Sequence, residues 1–139
     1  FSNVAEYLRN FQPDVVYLPF FLETHPDHFG TNRILIAAYR RVSSTVDFQY
    51  SAYETVTPLV CNRVVDIEEV AQITRLAIEQ HEVALDAMNI VDFTLALNKY
   101  RSLNSSGGKG YAEAFFYVPA EDYVALLSEY LDLLYSSRR

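Results

Sequence analysis

Two of the three histidines in this chain fall within four residues, in Thr24-His25-Pro26-Asp27-His28, and the third is His81. Proline suits the first position of a helix, where its missing N–H is not needed. With Pro26 there, His25 caps the helix and His28 lies one turn in, so both rings fall on the same side. Imidazole suits zinc, and Asp27, between the rings, is placed to hold one of them in a fixed tautomer. The same spacing also fits two surface histidines that cap a turn and bind no metal. A catalytic zinc asks for three protein ligands and an open fourth position, and this run offers one or two. Cys61 and His81 lie in unrelated segments, and His81, between Gln80 and Glu82, reads as a solvated or half-buried residue in mid-helix.

The elements around this run set where it stands. Residues 2–11 read as a short amphipathic helix with Ser2 or Asn3 as cap and Val4, Tyr7, Leu8 and Phe11 at helical spacing. Pro13 ends it. Val15-Val16-Tyr17-Leu18-Pro19 is an uninterrupted apolar run, as in a parallel strand buried on both faces. The histidine run thus lies beyond the carboxyl end of a strand, where open α/β sheets bind ligands. The helix it starts extends to about Arg41, with Ile34, Leu35, Ala38 and Tyr39 as its apolar face. Strands are predicted over Val46–Thr55, Arg63–Ile67 and Tyr111–Val118. A long helix is predicted from Glu68 to about Met88, capped by Asp66, and another from Val91 to Leu103. Asn104 to Gly110 is a flexible connector within the domain. Pro119 starts a last helix with Tyr123, Leu126, Leu127, Tyr130, Leu131 and Leu134 on one face. The pattern is α/β, with three or four strands and about five helices in a single domain, 1–139.

Composition narrows the class. The chain has 139 residues, half of them hydrophobic, and a net charge of -7. That supports one ordered core and argues against surfaces for nucleic acid or anionic lipid, which need clustered Lys and Arg. One cysteine forms no internal disulfide, and no apolar run approaches the roughly 18 residues of a membrane span. A cytoplasmic setting is therefore expected. The opening Phe1-Ser2-Asn3-Val4 has neither a basic nor an apolar leader region, and reads as the start of a piece cut from a longer protein.

Pro13-Asp14-Val15-Val16-Tyr17 followed by His25-Pro26-Asp27-His28 resembles the LmbE-like (PIG-L) family of zinc-dependent N-acetylglucosaminyl deacetylases. Tyr53-Glu54-Thr55-Val56-Thr57-Pro58-Leu59 and Val65-Asp66-Ile67 look like that family's strand pair leading into its long helix, and Tyr111-Ala112-Glu113-Ala114-Phe115 is similar to its late segment. The resemblance implies a three-layer Rossmann-like fold with an incomplete sheet, zinc as cofactor, and an N-acetylglucosamine-type sugar or conjugate as substrate. It implies His28 as a zinc ligand, His25 as the group that stabilises or protonates the tetrahedral intermediate, and Asp27 as its orienting carboxylate. Tyr111 and Glu113 would shape the substrate side. Arg101 and Asn32 receive no role.

The family's other signature, an Ala-His-Pro-Asp-Asp type stretch, is absent from these residues. It would supply the remaining zinc ligands and a general base from roughly 90 residues upstream, about three βα units. Gln80-His81-Glu82 also departs from the family's pattern of His followed by Ser-Gln. Two other readings follow. One is a non-catalytic α/β piece that binds a partner through its sheet edge, either another copy in a homo-oligomer or the missing N-terminal half. The other is a hydratase or hydrolase on another substrate, for which few basic pocket residues are visible.

Overall fold

A computed structural model describes residues 2–81 and 89–136. The elements, in chain order, are α1 (Ser2–Phe11), β1 (Val15–Pro19), α2 (Pro26–Tyr39), β2 (Gln49–Tyr53), β3 (Arg63–Asp66), α3 (Ala71–Ile78), α4 (Ile90–Arg101), β4 (Ala112–Pro119) and α5 (Ala120–Ser136). Short 3-10 turns precede α3 and follow α4. The class is α/β, and the four strands form one sheet in the order β1-β2-β4-β3. By its internal contacts the chain divides into two compact units, residues 1–59 with 116–139, and residues 60–115.

In the first unit β1 and β2 run parallel, Val15 facing Gln49 and Pro19 facing Tyr53. Both strands therefore end at the same level, and the segments after Pro19 and after Tyr53 emerge side by side. Phe20 N–H extends the ladder by donating to the Tyr53 carbonyl at 2.9 Å. The core is aromatic: Phe48, Tyr50 and Tyr123 are fully buried with Leu18, Val42 and Leu127. Phe48 and Tyr50 meet edge to face, their ring centres 5.0 Å apart, and Tyr50 lies 4.9 Å from Tyr123. Such rings bury large areas and fix one another's orientation.

In the second unit β3 and the first half of β4 pair antiparallel, Val65 opposite Glu113. The Asp66 carboxylate accepts the Glu68 N–H at 2.9 Å from one residue ahead of Ile67, which holds the cap position of the turn before α3 that was expected of Asp66. Gly110 is required there: its φ is 131°, and a Cβ would come within 2.8 Å of the Glu68 carboxylate. No helix among the described residues is long and apolar enough to cross a membrane.

Several expectations are corrected. β1 is not buried on both faces: it stands at the end of the sheet order, and Tyr17 is 62% exposed. The expected strand Val46–Thr55 shortens to Gln49–Tyr53, with Val46 and Phe48 buried ahead of it. Tyr7 and Phe11 do not join the core with Leu8; they stack on each other at 5.3 Å, exposed. On α2 the buried apolar residues are Ile36, Ala38 and Tyr39, whereas Ile34 is exposed. On α5 Leu126 is exposed while Tyr123 and Leu127 are buried. Pro119 ends β4, one residue ahead of the helix it was expected to start. The helix expected from Glu68 to Met88 begins as a 3-10 turn, and α3 ends at Ile78; residues 82–88 lie outside the described ones. His81 consequently lies past the end of α3, exposed.

Candidate active site

The histidine run stands as its spacing predicts. His25 is the N-cap of α2 in an extended conformation and Pro26 opens the helix. The rings of His25 and His28 lie 4.8 Å apart, tilted by 38°. The two imidazoles nonetheless have different surroundings. His25 Nδ1 accepts the Asp27 backbone N–H at 3.3 Å, a capping bond, and its side chain is 52% exposed. A neutral imidazole whose Nδ1 accepts carries its proton on Nε2. The Asp27 carboxylate, 90% exposed and 4.0 Å from the same nitrogen, makes no hydrogen bond to it. The contact that Asp27 makes with the His25 ring is therefore through its backbone N–H and not through its carboxylate.

His28 is held from inside. Its Nδ1 lies 3.1 Å from the Thr55 hydroxyl and 3.8 Å from Glu23 Oε2, and its side chain is 30% exposed. Glu23 is a buried carboxylate in the loop after β1. Its Oε1 accepts the backbone N–H groups of Thr55, Val56 and Thr57 at 3.0, 3.1 and 2.9 Å. Its Oε2 is buried with no hydrogen-bond partner among the described residues. Burial by itself would raise the Glu23 pKa, but the N–H groups of Thr57, Thr55 and Val56, with the Thr55 side chain, outweigh it and hold it below the usual value. The carboxylate is therefore ionised at neutral pH.

Beneath the histidines, buried Asn32 ties three elements together. Its Nδ2 donates to the Pro19 carbonyl at 2.8 Å and to the His28 carbonyl at 3.0 Å, and its Oδ1 accepts from the Tyr123 hydroxyl at 2.7 Å. Burial raises the Tyr123 pKa strongly, so the phenol stays a donor. The end of β1, the first turn of α2 and α5 are thus fixed by one fully used amide.

Sequence reasoning passed over Glu23 and gave Asn32 no role. The signal for Glu23 was a single acid in the otherwise apolar stretch Tyr17–Leu22 and its continuation to Thr24. Asn32, one turn beyond His28, carried no comparable sign. Tyr111 and Glu113 belong to the second unit. There the Lys99 ammonium lies 5.4 Å from the centre of the Tyr111 ring, and burial pushes the Glu113 pKa up. Cys61, free and half-buried in that unit, lies with its sulfur 3.7 Å from Arg101 Nη1. Among the described residues no group of three or more His, Cys, Asp or Glu side chains converges as a metal site. His28 Nε2 and its internally braced ring suit a single zinc anchor.

No family model matches the chain. No curated protein matches it either. Among solved structures it is similar to the conserved protein TT1542 from Thermus thermophilus, with a TM-score of 0.66 and 22% identity over 82% of this chain. That likeness supports the α/β fold. The chain spans 55% of the length of that protein.

Proposed function

We propose that this chain carries the histidine side of the active site of a zinc-dependent N-deacetylase, as its resemblance to the LmbE-like family implies. The observation that supports this reading is the pair of imidazoles with differently engaged Nδ1 atoms at the carboxyl end of two parallel strands. His28 is the zinc ligand, through Nε2, and further ligands come from outside the described donors. Zinc, when bound, supplies Lewis-acid polarisation of the acetyl carbonyl and acidification of water.

His25 faces solvent with its proton on Nε2, available to the oxygen that gains charge as the amide carbonyl is attacked. Deleting a donor of this kind costs on the order of 3 kcal/mol of transition-state stabilisation. Water adds to the carbonyl carbon, the C–N bond breaks, and acetate and a free amine leave. The substrate is a small N-acetylated sugar or conjugate, for which the resemblance assigns Tyr111 and Glu113 to binding, and the setting is cytoplasmic. Acetate release from N-acetylglucosamine conjugates by the zinc-loaded full-length protein tests the assignment. His25→Ala is expected to slow turnover by a factor of roughly 100 with zinc content unchanged. Unchanged turnover contradicts it.

The number of available donors favours a second reading for the chain taken alone, that of a non-catalytic α/β piece completed by another segment or another copy. Weak zinc binding by the isolated chain, made tight when the rest of the protein is joined to it, distinguishes this from a self-sufficient site.

A further inference from the structure

We propose that Glu23 and Thr55 are positioning residues that lock His28 into one tautomer, with the proton on Nδ1 and the Nε2 lone pair turned outward to take a ligand. The proposal rests on the zinc reading only for what that ligand is. Three backbone N–H groups converging on one oxygen of Glu23 are an arrangement built for a carboxylate anion, which accepts hydrogen bonds and donates none. The three backbone N–H groups occupy Glu23 Oε1, which leaves Oε2 buried, unpartnered and 3.8 Å from His28 Nδ1. A bare Nδ1 would turn its lone pair toward that oxygen. A protonated Nδ1 presents a positive N–H to it instead, and donates to the Thr55 oxygen at 3.1 Å. The Thr55 hydroxyl has one proton, which the neighbouring carboxylate attracts, so its oxygen is left to accept from the ring. His25 is an internal control, because its Nδ1 accepts a backbone N–H and its neutral form is the opposite tautomer.

The test is long-range proton–nitrogen NMR of the histidine rings in the metal-free chain at about pH 8, where an ordinary imidazole is neutral. The wild-type chain is expected to show His28 protonated on Nδ1 and His25 on Nε2. Thr55→Val keeps the side-chain shape and removes the acceptor, and should raise the Nε2–H share of His28 roughly fivefold. Glu23→Gln should make that form the major one. Its amide oxygen still serves the three backbone donors, while its NH2 replaces Oε2 and presents positive N–H groups, in place of a negative oxygen, to Nδ1. The loop is retained in both variants, so a purely structural role would leave the ring signals unmoved. An Nε2–H ring at His28 in the wild type, or signals unchanged in both variants, overturns the proposal. A wild-type chain with the Nδ1–H ring that still takes up no zinc when the rest of the protein is joined to it upholds the tautomer lock and removes the zinc reading.

Discussion

His25 and His28 stand three residues apart at the start of one helix, with rings close enough to touch, yet the protein treats them differently. His25 is held by its own helix, through a capping bond to a backbone N–H two residues on, and is otherwise open to solvent. His28 has its ring held by other elements, Glu23 after β1 and Thr55 after β2, while Asn32 of its own helix takes its carbonyl. A group that must present a lone pair at a fixed point gains from bracing, since metal ligands are oriented by what their other nitrogen touches. A group that delivers a proton to a bound molecule needs access. The difference teaches that equal spacing in a motif does not mean equal surroundings, and that the loops after β1 and β2 set the two rings apart.

The braced side should be the costlier to disturb. Asn32→Leu leaves the Tyr123 hydroxyl and two carbonyls without their partner in a buried place, and should lower stability by about 3 kcal/mol in denaturant unfolding. Glu23→Ala releases three backbone N–H groups in a loop that is partly open to water; about 2 kcal/mol is expected by the same measurement. On the open side, His25→Ala should cost only about 1 kcal/mol, the worth of an N-cap. His25→Asn should restore that stability without restoring turnover. Asp27→Asn, at an exposed carboxylate without a hydrogen bond to His25, should change stability by less than about 0.5 kcal/mol.

Acid sharpens the same contrast. The folded-state pKa of Glu23 is depressed, so its contribution is complete above the unfolded value near 4.5 and is lost as pH falls through the folded one. Glu113 has the opposite sign: its raised pKa means a contribution present at low pH that is lost as pH rises through the folded value. In unfolding measured against pH, Glu23→Gln should flatten the acid limb, and Glu113→Gln should raise stability at neutral pH.

The helix start at Pro26 was legible in the sequence because proline, cap and histidine spacing are local rules that no distant contact overrides. So was the β1–α2 order, from an apolar run followed by a cap. The braces were not legible. Glu23 and Thr55 are 32 residues apart, and only the parallel register of β1 with β2 brings their loops together. Asn32 meets Tyr123 across 91 residues of sequence. The burial of β1 was overestimated for a related reason: an apolar run shows what a strand tolerates, while its place in the sheet order decides how much of it is covered.

The most direct test of the central claim is a zinc titration of the chain followed through the ring nitrogens of its histidines. The account predicts that zinc shifts His28 Nε2 first and most, that His25→Ala leaves this response in place, and that His28→Ala abolishes it. A response centred on His25, or one that survives in His28→Ala, would contradict it.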